Sequence, residues 1–186
     1  MIQLLRAGGS LLAGSGLPTH TFLTYVLAFS LAAVICFAAI PRARAINAAD
    51  DTRNGLVALV AISGVWAALQ VGYLAAPTLS LQYGFYIAGL VVGLSTVGAW
   101  LYFCSAYTGR SFHHNRGYRR IAIAVYLVIV SIKVTNPIHG LYFTATPTTT
   151  PFIHLMIDHG TLHWLAMGLA YALATVGIFM LFELFA

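Results

Sequence analysis

The chain has 186 residues, 60% of them hydrophobic and only 7% charged, which leaves too little polar surface to keep a globule of this size in water. A soluble class is therefore excluded. The formal net charge is +5, yet the arginines flank apolar runs and do not line a face interleaved with aromatics, so the basicity is an orientation signal and nucleic acid is not an expected partner.

Five apolar runs predict five transmembrane helices at about 21–40, 56–76, 83–107, 118–136 and 162–184, each near the ~20 residues that cross ~30 Å of hydrocarbon. The expected fold is an all-α polytopic bundle, one membrane-embedded domain over 1–186, in a multi-pass protein of the cell membrane. The first run is followed by Pro41-Arg42-Ala43-Arg44, which suits a stop-transfer helix better than a cleaved leader. Cys36 and Cys104 lie inside apolar runs without a Cys-x-x-Cys spacing and read as small buried hydrophobes.

Connections one and three carry Arg42, Arg44, Arg53 and Arg110, Arg116, Arg119, Arg120, whereas connections two (Pro77 to Gln82) and four (Pro137 to Leu162) carry no arginine or lysine. The positive-inside rule then puts connections one and three in the cytoplasm, the N-terminus outside despite Arg6, and the C-terminus inside, with Glu183 at that edge. Gly89-x-x-x-Gly93 in the third span and Ala166, Ala170, Ala174 and Gly177 in the fifth form small-residue rows of the kind that let helices approach in lipid. Gln70 and Ser95 are candidates for interhelical hydrogen bonds. Trp66 and Trp100 are expected to face neighbouring helices, and Trp164 to sit in the interfacial belt. The Thr144 to Pro151 stretch, with its threonines and two prolines, predicts no regular element.

Polar groups in or beside the spans are the functional candidates. Lys133 lies near the outer end of the fourth helix, where it either snorkels outward or forms the counter-charge of Asp158. Pro137 predicts that this helix ends at Asn136, which would cap its last turn and direct His139 toward Lys133 and the fifth helix. Lys133, Asn136, His139 and Asp158 form the expected ligand-sensing set. The segment HLMIDHGTLH supplies His154, Asp158, His159 and His163. If helical, it would place His154 beside Asp158 and His159 beside His163 at i, i+4, a ligand spacing that suits Zn, Cu or Ni. Gly160 weakens that helix and the two pairs point apart, so one site would need a break or a ligand from His139. His113 and His114, in the arginine-rich loop, are expected to be solvated. There is no phosphate loop, nucleophile elbow or buried carboxylate pair, and His159-x-x-x-His163 is an isolated fragment, so no enzyme activity is expected.

The stretch Trp100-Leu101-Tyr102-Phe103-Cys104-Ser105-Ala106-Tyr107-Thr108-Gly109-Arg110 resembles a "W-x-x-F-x-x-x-Y-T-G" signature, and Thr135-Asn136-Pro137-Ile138-His139 resembles "T-N-P-x-H". Both belong, in this order, to the seven-helix sensor region that precedes histidine kinases. Ala43-Arg44-Ala45, and Gly160 with His163-Trp164, are similar to further landmarks of that family. The resemblance implies a sensor that detects a stimulus at its external face, with the lipid bilayer and a cytoplasmic kinase or regulator module as partners; a second copy in a homodimer is a further candidate. The family pattern has seven helices followed by an output module, and five are expected here, so no phosphoacceptor or nucleotide site is carried over. The alternative reading is a transport or redox-carrier subunit whose external histidines bind a metal or haem.

Overall fold

The computed structural model describes residues 17–149 and 154–184. Arg6, Thr150 and Pro151 lie outside the described residues. Helices α1 (Leu17–Ala45), α2 (Asp50–Ala75) and α3 (Leu79–Tyr107) are followed by a 3-10 turn, Phe112–His114, then α4 (Arg116–Val134) and the single turn α5 (Asn136–His139). Strands β1 (Phe143–Thr148) and β2 (His154–His159) lead into α6 (Thr161–Phe182). Short connections make α1 to α4 successively antiparallel, which gives the bundle an arginine end and a hairpin end.

The helices run farther than the apolar stretches that announce them. Hydropathy marks the part suited to lipid, whereas backbone hydrogen bonding continues into polar turns that water or caps can satisfy. Thus α2 starts at Asp50 and Asp51, whose negative charge suits a helix N-terminus. Helix α3 starts under a Thr78 cap whose Oγ1 accepts the Leu81 amide at 3.3 Å. The Asn115 side chain caps α4 by accepting from the Gly117 and Tyr118 amides. Helix α1 continues through Pro41, with Arg42 and Arg44 in its last turn beside the negative end of the dipole.

Among the described residues, four helices are long and apolar enough to cross a membrane: α1 from His20, α2, α3 and α6. Their outward faces, with Leu27, Leu31, Leu165 and Phe179 all exposed, suit hydrocarbon. Helix α3 is the hub. Its Gly89 and Gly93 face Gln70 and Trp66 of α2, so the predicted small-residue row is a helix contact. Trp100 reaches across to α6, where its indole donates to the Ala174 carbonyl at 3.1 Å. A Cβ on Gly177 would fall 2.2 Å from that indole nitrogen, so the residue must be glycine for this approach. Ser95 bonds the Tyr126 hydroxyl of α4 at 2.8 Å, realising its expected bridging role.

Two expectations are corrected here. Residues 143–148 form a strand despite Pro147, because the hairpin has two strands and each leaves one edge without ladder bonds, where proline is tolerated. Residues 154–159 are a strand and not a helix, paired antiparallel with β1 in the register Phe143 to His159 through Thr148 to His154. Leu155 and Ile157 alternate inward, and that period of two, with a β-branched, threonine-rich partner strand, outweighs the four-residue spacing of the polar groups. The buried core, Tyr142, Phe143 and Ala166 with Tyr83, Tyr86 and Leu90 packed against it, lies beneath this hairpin.

Candidate functional site

At the hairpin end the chain must leave α4, turn, and enter β1, and Asn136 fixes that path. The long helix stops before Pro137 but at Val134, with Thr135 and not Asn136 as its cap; the one-turn α5 closes at Gly140, which adopts the left-handed conformation with φ of 63°. The Asn136 side chain is 2% exposed. Its Oδ1 accepts from the amides of Tyr142 (2.9 Å) and Phe143 (3.2 Å). Its Nδ2 donates to the Phe143 carbonyl (2.8 Å) and to the Tyr83 hydroxyl (3.3 Å). All four hydrogen-bonding positions of the amide are thus used. One side chain ties the end of α4, the start of β1 and the first turns of α3 together.

Beside this node a cavity of about 580 Å³ opens between α3, α5 and the hairpin, lined by Tyr83, Asn136, Phe143, Thr144, Pro147 and Leu155 among others. It is an open groove with a mostly apolar wall and a few polar groups. On the far side of the wall, the Lys133 ammonium donates to the Leu90 carbonyl at 2.7 Å and lies 5.4 Å from the Tyr142 ring centre. Burial pushes the Tyr142 phenol up to about 12, so that ring stays neutral beneath the cation.

Both expectations for Lys133 are therefore corrected: at 4% exposure it does not snorkel, and among the described residues no carboxylate pairs with it. The carbonyl and the ring supply the partners a buried ammonium needs. Asp158 stands exposed, opposite Thr144 on the outward face of the hairpin. His139 does not turn toward Lys133; its Nδ1 accepts the Leu141 amide (3.0 Å), and its Nε2 lies against the Ile132 carbonyl and the Thr135 hydroxyl.

The four proposed metal ligands do not converge. His154 and Asp158 share a strand face, where four residues span about 13 Å. His159 and His163 do meet, with ring centres 3.8 Å apart, because Gly160 lets the chain pass from β2 into α6 with the Leu141 carbonyl pressed against it. The Tyr86 hydroxyl lies 3.1 Å from His159 Nε2, while His163 is 8% exposed with its Nδ1 unpartnered. Two imidazoles alone offer too few ligands for a metal centre.

The cluster missed in the sequence lies at the other end. His114 is exposed as expected, but the His113 side chain is only 8% exposed. The Nε2 atoms of His113 and His114 lie 3.4 and 3.2 Å from Asp51 Oδ2. The signal was the Tyr107-Thr108-Gly109 ending of α3. Gly109 takes φ of 68°, and the Arg110 amide returns to the Ser105 carbonyl at 2.9 Å, a helix stop that folds the next residues back over the bundle.

The family model of the N-terminal 7TM region of histidine kinase matches residues 17–186. No curated protein and no solved structure matches the chain.

Proposed function

The chain belongs to the family of N-terminal 7TM regions of histidine kinases, and from that premise we propose that its hairpin end is the face where the stimulus binds. As a sensor region of this family it is a multi-pass protein of the cell membrane, and a kinase module lies downstream of it. The arginine end gathers Arg42, Arg44, Arg53, Arg110, Arg116, Arg119 and Arg120, which supports a cytoplasmic placement for that end and an external one for the hairpin. Helix α4 then makes the fourth of five crossings; its 19 residues rise about 28 Å, close to the ~30 Å of the hydrocarbon core.

The observation that carries the reading is the Asn136 node. A small molecule in the adjoining cavity touches α3, α5 and the hairpin together, so it can bind two arrangements of these elements unequally, which is the condition for passing a signal. Helix α3 runs from the node to the arginine end, and the Trp100 bond to Ala174 takes α6 with it.

The test is made in the full-length kinase in native membranes. Asn136→Ala removes bonds whose loss costs about 1–3 kcal/mol in the arrangement that uses them, enough to move a two-state ratio by about 5- to 150-fold. Autophosphorylation should therefore shift for Asn136→Ala, and in the same direction for Tyr83→Phe, with membrane content unchanged. Thr146→Ala, on the outward face of the hairpin, should behave as the parent. Unaltered autophosphorylation in both node variants would sink the proposal.

A further inference from the structure

We propose that Asp51, His113 and His114 form a binding site for a divalent first-row transition metal such as zinc, at the arginine end and independent of the hairpin pocket. The three ligand atoms, one carboxylate oxygen and two imidazole nitrogens, lie within 4.8 Å of one another and come from two segments, the first turn of α2 and the 3-10 turn before α4. Zinc bound at about 2.0–2.1 Å by nitrogen and oxygen in a tetrahedron separates its ligands by about 3.3 Å. The two edges from Asp51 Oδ2 measure 3.4 and 3.2 Å.

The hydrogen bonds around His113 leave its Nε2 directed at Asp51. The Ser105 hydroxyl donates its one proton to the Arg110 carbonyl (3.0 Å), so its contact with His113 Nδ1 (2.9 Å) requires the imidazole to be the donor. A neutral His113 therefore carries its lone pair on Nε2, aimed at the Asp51 carboxylate from a side chain 8% exposed. With Nε2 unprotonated, it and the carboxylate oxygen are two acceptors placed as a pair of ligands for one cation; with it protonated, the pair is a plain ion pair. The neighbouring arginines do not supply it: Arg53 pairs with Asp50 and Arg110 with Glu183, and among the described residues no arginine or lysine pairs with Asp51. At 3.4 Å the separation is longer than an N–H···O bond favours but right for two ligands of one ion.

The surroundings are those of a supported metal site. The Tyr102 hydroxyl donates to Asp51 Oδ1 at 2.9 Å and orients the carboxylate, Ser105 fixes the His113 tautomer, and the Tyr102 ring stands edge-on to His113 at 5.1 Å. His114 is 66% exposed, so the ion has an entry path and room for a water ligand. Two imidazoles and a carboxylate suit Zn, Ni, Cu or Fe(II) and disfavour Ca and Mg. Occupancy would clamp the start of α2 to the connection between α3 and α4, which gives the module a second chemical input at the end opposite the hairpin.

The experiment uses the purified full-length kinase, stripped with a chelator and titrated with zinc or with cobalt(II), whose visible bands report coordination. Wild type should bind one zinc per chain at this cluster. His114→Ala removes an exposed ligand without disturbing packing; since loss of an outer-shell partner already costs about 10–100-fold in affinity, it should raise the Kd by about 100-fold or more, and Tyr102→Phe by about tenfold. His159→Ala should bind as wild type. Asp51→Asn, which keeps shape and removes charge, should also abolish the cobalt bands. Zinc affinity unchanged in both His114→Ala and Asp51→Asn, or lost on His159→Ala instead, would overturn the assignment.

Discussion

Replacing Gly177 by alanine tests whether α3 and α6 move as one body. The added Cβ would lie 2.2 Å from Trp100 Nε1 and 2.9 Å from Cδ1, far inside contact distance. Either the indole turns away and gives up its bond to Ala174, or the two helices separate. Overpacking of this kind costs about 1–3 kcal/mol, and an interhelical hydrogen bond in lipid adds about 0.6 kcal/mol. Alanine returns about 0.8–1.0 kcal/mol through its better helix propensity. The net loss is about 0.6–2.8 kcal/mol, which for a chain of this size lowers Tm by about 1–11 °C. Thermal unfolding in detergent reads it. Gly98→Ala is the control, since a Cβ there meets nothing within 4 Å and should leave Tm level or raise it. Trp100→Phe removes the obstructing nitrogen and should restore part of the loss in the Gly177→Ala background, as expected of residues in contact. If Gly177→Ala melts with Gly98→Ala, the two helices are not locked at Trp100 and α6 cannot be carried by α3.

Two further outcomes follow from the placement of charge. In a background with Cys36 and Cys104 replaced by alanine, Thr148→Cys should react with an impermeant thiol reagent in intact cells and Arg116→Cys should not, and the reverse pattern would invert the orientation proposed from the arginines. Lys133→Met should change Tm little, because an apolar side chain of similar volume replaces an ammonium held by one carbonyl and one ring. Lys133→Glu should cost about 3–5 kcal/mol by placing an unpaired carboxylate there, and equal melting of the two variants would show that the position is not buried.

The spans were legible because hydropathy and length act over twenty residues at once, but their ends were not. Asp50, Asp51, Leu79 and Ser80 are helical for reasons of hydrogen bonding and capping that hydropathy does not record. The role of Pro137 as a helix stop could be read from its missing amide, whereas the destination of Asn136 could not, since Tyr83 lies 53 positions away. In 154–159 the inward alternation of Leu155 and Ile157 was present in the sequence, but the polar residues at four-residue spacing suggested a helix instead. Asp51 and His113, 62 positions apart, meet only because one left-handed glycine folds the connection back, and composition carries no trace of that.

Helix α1 ends beyond its own proline, and that has a mechanical consequence. Pro41 cannot donate to the Phe37 carbonyl, so the final turn bearing Arg42 and Arg44 is joined to the rest of the rod by fewer backbone bonds than any neighbouring turn. Ala43 in the same turn is 5% exposed, so the turn stays packed on the bundle while the exposed Arg42 and Arg44 side chains reach outward to phosphate headgroups. A bilayer that thins or thickens would then be met first by these two long side chains and only afterwards by a tilt of the bundle itself.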